Sequence, residues 1–356
     1  MNVVLVTDWL VTHRGGEKVL ESLAELFPKA PIFTLFSQRG RISRRLQEHP
    51  IHCSALDRLP WARSNYRYFL PLFPWAIQKL SLPQCHLVVS VSHAVAKGVK
   101  VPPGAKHVCY CLTPMRYLWH RREEYFSQAS WRSLALQVLS TRLKRFDLQN
   151  EQVDLFLAVS RYVRQQIQDI YSRKAEVVYP PVDTGFFSPD SAGQRRDYFL
   201  VVSALVPYKR IDLVVKAFNR NGKKLIVVGS GPLENTLRRE SKPNIQFRGW
   251  VSDEQLRSLY RGAWALIVMA REDFGLAPLE ANACGTPVIA FRGGGITEAM
   301  TAETAVLLER QACDLLEEAA ARFSPDVFSA ERLRANALRF SKSIFQERIS
   351  EIVAKL

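Results

Sequence analysis

Short, continuous apolar segments alternate with longer polar segments of helical character along the whole chain, and this alternation leaves few folds open. In the first half the apolar segments are Val3–Val6, Pro31–Phe36, Leu87–Val91, His107–Leu112 and Leu155–Val159. In the second half they are Tyr198–Leu205, Lys224–Val228, Ile245–Phe247, Ala263–Met269, Val288–Phe291 and Ala305–Leu308. Strands of this kind are buried on both faces, so the pattern predicts parallel sheets covered by helices. The predicted fold class is α/β.

The alternation is interrupted near Pro180–Pro181 and over the polar stretch Ser188–Asp197. A chain of 356 residues has the length of two domains. We therefore predict two Rossmann-like, doubly wound domains facing each other across a cleft, over residues 1–187 and 188–340. The last residues, 341–356, have apolar side chains at helical spacing and predict an amphipathic helix that needs a surface to pack on.

The densest group of candidate site residues lies between Ala270 and Glu298. Two carboxylates, Glu272 and Glu280, stand eight positions apart, and Gly275 precedes a predicted short helix between them. The first N–H groups of that helix and its positive end would form an anion site beside Glu272. A carboxylate next to an anion site suits a ligand that is both hydroxylated and phosphorylated, and a sugar nucleotide is such a ligand.

Further candidates follow other predicted strands of the second half. Lys209 and Arg210 are adjacent cations after a strand, where they suit a diphosphate that arginine can bind through two hydrogen bonds. Gly229 and Gly231 form the next strand-to-helix turn and offer backbone N–H groups, although this spacing alone is a weak signal. The segment Phe247–Val251 is a third strand exit on the same rim.

Two features of the first half also lie where strands are predicted to end. Gly15–Gly16 would let the backbone approach a ligand closely, although an ordinary strand-to-helix turn explains the pair as well. The spacing is not that of a dinucleotide-binding fingerprint. His93 follows the segment Leu87–Val91 and would face the cleft, although a structural histidine is the commoner case.

The basic charge is concentrated in the first half of the chain. The net charge is +15, and the region 58–122 contains ten Lys or Arg residues and no Asp or Glu. This predicts a polyanionic partner. Aromatic rings interleave with the cations between Leu59 and Leu80, which favours an anionic membrane surface, with core packing and nucleic-acid stacking as the alternatives. We expect the membrane surface and no nucleic acid.

Other classes of protein are disfavoured by composition. The six cysteines do not have the spacing of a zinc site, so no metal is expected, and they fit a reducing compartment. No apolar run reaches 18 residues, so no transmembrane helix is expected. The opening residues lack the basic region of a signal peptide and predict a buried strand. We therefore expect a cytoplasmic protein that associates peripherally with the inner face of the membrane.

Together these residues resemble a known family, glycosyltransferase family 4, whose members are retaining enzymes of the GT-B fold. The motifs that carry the resemblance in the second half are Tyr208–Arg210, Gly229-x-Gly231-Pro232, Glu272-x7-Glu280 with Phe274–Gly275, and Gly293–Gly295 followed by Glu298. Those of the first half, which look like a bacterial mannosyltransferase branch, are Asp8–Leu10 with Arg14–Lys18, Ser92–Gly98 and Thr113–Tyr117. The resemblance covers essentially the whole chain, and the segment around Glu272 is its most specific part.

The resemblance implies a nucleotide-diphosphate sugar donor that is bound mainly by the second domain, with no further cofactor. Lys209 and Arg210 would hold the diphosphate, Glu272 the sugar hydroxyls and Glu280 the ribose hydroxyls. The remaining donor contacts would come from Gly229, Gly231, Trp250, Val251, Phe274, Gly275 and Leu276. From the first domain, Gly15 and Gly16 would close over the diphosphate and His93 would border the reacting sugar, while the terminal helix would cross back to that domain.

The implied activity is retaining transfer of a hexose, with mannose from GDP-mannose as the expected donor and a lipid-linked or polysaccharide acceptor. Glu272, His93, Lys209 and Arg210 are the candidate catalytic residues. Three positions depart from the family pattern: Ala204, where members often have Arg, Leu112, often His, and His120, often Asp. These departures leave open a degenerate protein that only binds nucleotide sugar or an anionic membrane. A nucleotide-sugar epimerase of the same fold is the other enzyme considered.

Overall fold

The computed structural model describes residues 1–11, 15–63, 65–119, 133–190 and 197–356, and these form two compact units. The first unit comprises Met1–Pro181 and Phe345–Leu356, and the second comprises Val182–Ile344. The division falls after Pro181, where the sequence placed it after residue 187. No helix among the described residues is long and apolar enough to cross a membrane.

The first unit is built on a parallel sheet with the strand order β3-β2-β1-β4-β5-β6-β7. Its described strands are β1 (Val3–Thr7), β2 (Ile32–Thr34), β3 (Ile51–Cys53), β4 (Leu87–Ser92), β5 (Lys106–Cys111), β6 (Leu155–Ala158) and β7 (Ala175–Val177). Its described helices are Gly15–Leu26, Arg44–Gln47, Phe73–Gln78, Arg116–Trp119, Ser133–Leu148 and Arg161–Tyr171. Every residue of β1 and β4 is buried, as the continuous apolar segments predicted.

The second unit repeats this plan with the strand order β10-β9-β8-β11-β12-β13, again with parallel neighbours. Its described strands are β8 (Tyr198–Val202), β9 (Leu225–Val228), β10 (Ile245–Gly249), β11 (Ala263–Val268), β12 (Val288–Phe291) and β13 (Ala305–Leu308). Its described helices are Ile211–Asn221, Glu234–Glu240, Asp253–Gly262, Leu276–Ala283, Ile296–Ala299, Cys313–Arg322 and Ala330–Leu338. The predicted α/β fold with two doubly wound sheets is confirmed.

The terminal helix, Lys342–Val353, begins in the second unit, and from Phe345 onward it belongs to the first. Phe345, Ile349 and Ile352 are buried, and the ring of Phe345 meets that of Tyr110 at a centroid distance of 5.6 Å. The predicted amphipathic helix is therefore present, and it packs on the sheet of the first unit through β5.

Each sheet has one place where the strand order reverses, between β1 and β4 in the first unit and between β8 and β11 in the second. Both pairs are parallel, so the carboxyl ends of the two strands lie side by side. Open α/β sheets bind ligands at this reversal. The residues that leave these ends are Asp8 and His93 in the first unit, and Lys209 and Glu272 in the second.

Candidate active site

The centre of the candidate site in the second unit is an ion pair between Lys209 and Glu272. Lys209 ends the 3-10 turn Pro207–Lys209 after β8, and Glu272 lies beyond the end of β11. The Lys209 Nζ atom donates to both carboxylate oxygens of Glu272, at 2.6 and 2.7 Å, and both side chains are mostly buried, at 16% and 17% exposure. The structure thus joins two residues that the sequence assigned to neighbouring parts of one ligand.

Arg210 stands next to this pair in a left-handed backbone conformation, with φ of 54°, at the start of helix Ile211–Asn221. Its guanidinium group donates to the carboxylate of Asp212 at 3.3 and 3.4 Å. Both side chains are about one-third exposed, so the arginine remains accessible to a ligand from solvent.

Gly229 and Gly231 have a packing role that the sequence did not predict. A Cβ atom on Gly229 would lie 1.9 Å from the carbonyl oxygen of Ser203, and one on Gly231 would lie 2.4 Å from that of Leu205. The turn after β9 therefore lies directly against the backbone that leads from β8 to Lys209. These glycines permit that approach, and so they support the position of the candidate phosphate-binding cation.

The glycine turn Gly293–Gly295 holds the backbone of Glu272 in a similar way. The N–H group of Gly295 donates to the carbonyl oxygen of Glu272 at 2.8 Å. A Cβ atom on Gly294 would lie 2.1 Å from the same oxygen, and Gly294 has a φ of 77°. A run of three glycines after a buried strand is the sequence signal for such an approach, although it does not identify the loop that is approached.

We expect Gly294→Ala to lower the free energy of unfolding by about 3 kcal/mol or more, because left-handed strain and a backbone clash add together. The matched control is Gly222→Ala, since Gly222 has a φ of 68° and nothing within 4 Å of the added carbon. That control should lose only about 1 to 2 kcal/mol from strain. Urea denaturation of both variants measures the difference, and equal losses would contradict the role assigned to Gly294.

The helix that follows this loop begins after Gly275, whose φ is 104°, and its first residue is Leu276. Phe274 is buried, with its ring 5.4 Å from that of Phe340. The Phe274–Leu276 segment is thus anchored from within the unit, and the helix begins four residues after Glu272, directly after Gly275 as the sequence predicted.

Glu280 lies on the same helix and is only 5% exposed. Its Oε2 atom accepts a hydrogen bond of 3.0 Å from the hydroxyl of Tyr260. Burial, and then the neighbouring Glu280, raise the pKa of Tyr260 well above its usual value, so the hydroxyl stays protonated and donates. The sequence identified Glu280 but not its tyrosine partner.

Trp250 and Val251 follow β10 and differ in exposure. The side chain of Trp250 is 74% exposed, and Val251 is half-buried. The preceding Gly249 accepts a hydrogen bond of 2.7 Å from the N–H group of Gly229. This bond joins the segments that follow β9 and β10, which were predicted to lie along the same edge of the sheet.

The candidate site residues of the first unit centre on His93, which follows β4 directly. Its Nδ1 atom lies 3.0 Å from the carboxylate of Asp8, which is fully buried at the end of β1. Asp8 was not among the predicted site residues. An acidic residue directly after a buried strand is the available signal, but its partner becomes evident only from the order of the strands.

Gly15 and Gly16 open the helix Gly15–Leu26 of the first unit. A Cβ atom on Gly16 would lie 2.9 Å from the Cδ1 atom of Leu112, which follows β5. The departure at Leu112 therefore places a half-buried apolar side chain directly against the glycine pair. His120 lies outside the described residues.

No group of three or more His, Cys, Asp or Glu side chains within the described ranges is placed to hold a metal ion. The candidate diphosphate-binding cations of the second unit are Lys209 and Arg210. The arrangement at the end of β8 and β11 can therefore bind an anion through these side chains and hydroxyl groups through Glu272.

Comparison with known proteins agrees with this chemistry. Residues 187–340 match the family model described as glycosyl transferases group 1. A GDP-mannose-dependent monoacylated alpha-(1-6)-phosphatidylinositol monomannoside mannosyltransferase of Corynebacterium glutamicum is 30% identical over 197 residues, which are 47% of this chain and 52% of that protein. The chain thus spans about half the length of the curated relatives it matches.

Solved structures resemble the chain over its whole length. Anabaena HepE in complex with UDP-glucose has a TM-score of 0.73 at 17% identity and covers 100% of both chains. Sucrose-phosphate synthase from Thermosynechococcus elongatus has a TM-score of 0.73 at 16% identity, over 100% of this chain and 99% of that one. At these identities the likeness concerns the fold alone. Residues 187–340 thus match the group 1 glycosyl transferases, and the chain as a whole has the GT-B fold that its motifs indicated.

Proposed function

We propose that this glycosyltransferase is a retaining hexosyltransferase that takes mannose from GDP-mannose. The observation that carries the proposal is the ion pair of Lys209 and Glu272 at the strand reversal of the family-matched unit. It brings an anion-binding cation and a hydroxyl-binding carboxylate to one point, and a nucleotide-diphosphate sugar needs both. The mannose assignment is supported by the GDP-mannose-dependent enzymes among the relatives.

In the proposed reaction the bond between the sugar and the diphosphate breaks, and negative charge develops on the leaving diphosphate. Lys209, Arg210 and the N–H groups at the start of helix Leu276–Ala283 stabilise that charge where it appears. Glu272 and His93 orient the sugar, and Glu272 is not assigned as a covalent nucleophile. The leaving phosphate accepts the proton of the acceptor hydroxyl on the same face of the sugar, which retains the anomeric configuration.

A thermal-shift panel of GDP-, UDP- and ADP-sugars tests the donor. At equal concentration the donor with the lowest Kd raises the unfolding temperature most, and we expect that donor to be GDP-mannose. A ligand at 100 times its Kd adds about 2.7 kcal/mol to the free energy of unfolding. A larger shift with a UDP-sugar would overturn the mannose assignment, and no shift with any donor would overturn the transferase. Transfer of labelled mannose to a bacterial lipid extract tests the transfer step, and NMR of the product tests whether the anomeric configuration is retained. Donor binding without transfer would favour the degenerate alternative.

We further propose that the acceptor is lipid-linked and is met at an anionic membrane surface on the cytoplasmic side. Five of the twelve large apolar side chains that are exposed in the described residues lie within residues 59–75: Leu59, Trp61, Tyr68, Leu72 and Trp75. We call these five side chains the apolar patch. Arg58 and Lys79 flank it and are exposed. Exposed rings with flanking cations suit a lipid headgroup layer.

The aromatic residues of the same segment divide between two roles. Tyr66 and Phe73 pack against Trp9, with ring centroids at 5.0 and 5.9 Å. Core packing therefore explains the inner rings, whereas it does not explain Trp61 and Tyr68, which are 81% and 84% exposed. This division supports a membrane role for the outer rings.

Trp9 also connects the segment to the candidate active site. Its ring meets the edge of His93 at a centroid distance of 4.4 Å with an interplanar angle of 84°. The ring of Trp9 thus contacts both the imidazole of His93 and the ring of Tyr66, which lies in the same segment, residues 59–75, as the apolar patch. A membrane surface that contacts the patch would therefore bring the headgroup of a lipid acceptor close to His93.

A further inference from the structure

The carboxylate of Asp8 contacts both the backbone of the turn after β4 and the side chain of His93. Its Oδ2 atom accepts from the backbone N–H groups of His93 and Ala94, at 2.7 and 3.0 Å. Its Oδ1 atom accepts from those of Val95 and Ala96, at 2.6 and 2.7 Å. These four bonds hold the turn. The fifth contact, from Oδ2 to the Nδ1 atom of His93 at 3.0 Å, links the same carboxylate to a side chain that is one-third exposed.

The fifth contact determines which nitrogen of the imidazole carries the proton. Burial opposes ionisation of Asp8, but the charge and hydrogen bonds of His93 and the turn N–H groups bring the pKa of that carboxyl below its ordinary value. An ionised carboxylate can only accept hydrogen bonds, so Nδ1 must donate. In the neutral ring the proton is then on Nδ1 and the lone pair is on Nε2. This Nδ1–H tautomer is the less common one in free histidine.

The ring is also held from a second side. The edge-on contact with Trp9, together with the bond to Asp8, restricts rotation of the imidazole about its own side-chain bonds. A ring that is fixed in both orientation and tautomer can present Nε2 as a hydrogen-bond acceptor without reorganisation, which is the condition for an effective catalytic contact.

We propose that Asp8 is a positioning residue that holds His93 in the Nδ1–H tautomer, so that Nε2 accepts a hydrogen bond from a hydroxyl group of the bound sugar. The part of this inference that concerns the sugar rests on the proposed transferase function, whereas the tautomer does not depend on it. Asp8 itself does not contact the ligand in this account, and His93 is the residue that touches it.

The tautomer can be read from the imidazole nitrogens of the full-length protein labelled with 15N-histidine. A long-range proton–nitrogen correlation spectrum is recorded at a pH where the ring is neutral, and His93→Gln identifies the signals of His93. The unaltered protein should show the Nδ1–H pattern. Asp8→Asn should convert it to the Nε2–H pattern, because an amide NH2 group in the place of Oδ2 donates to Nδ1. The amide oxygen then keeps the bonds from Val95 and Ala96, whereas those from His93 and Ala94 are lost. An Nε2–H pattern in the unaltered protein overturns the inference, even if no variant folds.

The matched control is Asp147→Asn, which alters another fully buried carboxylate of the same unit. Asp147 accepts from Lys97, Trp119 and Tyr171 and makes no contact with His93. It should lose stability but keep the Nδ1–H pattern. A changed tautomer in this control would mean that loss of packing alone moves the ring, and would overturn the specific role of Asp8.

Activity supplies the second readout. Asp8→Asn should lower kcat for mannosyl transfer by about 10-fold or more while the unfolding temperature stays above the assay temperature. Unchanged kcat with a converted tautomer overturns the positioning role. If the unaltered protein transfers no sugar, the proposed function fails, but the tautomer measurement still decides whether Asp8 controls His93.

Discussion

Replacing Glu272 with alanine should lower kcat about 100-fold or more, the equivalent of about 3 kcal/mol of transition-state stabilisation. The carboxylate is mostly buried, accepts two hydrogen bonds from Lys209, and is held through its backbone by the Gly293–Gly295 turn. A carboxylate fixed in this way loses little freedom when it binds sugar hydroxyls. Its removal therefore takes away a preorganised contact to the reacting sugar.

The same variant should not weaken binding of GDP. Unchanged GDP binding would distinguish loss of the sugar contact from disruption of the whole site. The ammonium group of Lys209 is neutralised by its ion pair with Glu272. A diphosphate must share that cation with the carboxylate, so Glu272→Ala frees it and should leave the Kd of GDP unchanged or lower. Lys209→Ala should instead raise the Kd of GDP by about 10-fold or more, because it removes a charge-assisted contact.

Isothermal calorimetry with GDP and initial-rate kinetics with GDP-mannose measure the two effects. Glu303→Gln is the control, since Glu303 is exposed and forms a surface ion pair with the exposed Arg332. It should behave as the unaltered protein does in both assays. Near-normal turnover of Glu272→Ala would remove this carboxylate from the mechanism.

The fold was predictable wherever a strand is buried along its whole length. Each of the eleven apolar segments overlaps a strand of the structure. The two strands that were missed, β3 and β7, are the edge strands of the first sheet and are partly exposed at every position. Both are only three residues long, and each has an exposed polar residue at its centre, His52 or Glu176, so neither gives the continuous apolar signal that identified the other strands.

The sequence supplies candidate site residues, but it does not predict the contacts between them. Lys209 and Glu272 are 63 positions apart, and they meet because β8 and β11 are neighbours in the sheet. Strand order is a property of the whole sheet, and local spacing does not encode it. The same holds for Asp8 and His93, which meet through the pairing of β1 with β4. His93, Lys209 and Glu272 were identifiable because each lies shortly after an apolar segment that predicts a strand.

Removing the two tryptophans of the apolar patch should release the protein from anionic vesicles. We expect Trp61→Ser with Trp75→Ser to weaken binding by about 30-fold or more, because each ring buried among headgroups contributes about 1 to 2 kcal/mol. The rings are 81% and 51% exposed, so their removal should leave the free energy of unfolding nearly unchanged. Flotation with vesicles of phosphatidylglycerol and phosphatidylcholine measures the affinity.

The control for this double variant is Trp250→Ser, which removes a tryptophan of 74% exposure from the second unit. It should keep the vesicle affinity of the unaltered protein, since Trp250 lies outside the apolar patch. Arg58→Gln with Lys79→Gln should weaken binding by about 1 kcal/mol per charge, and this loss should disappear at high salt, where surface charges are screened. The tryptophan effect should persist at high salt, because it depends on burial of apolar surface. Equal losses for Trp250→Ser and the patch variant would mean that exposed rings bind lipid regardless of position, which contradicts a dedicated surface at residues 59–75.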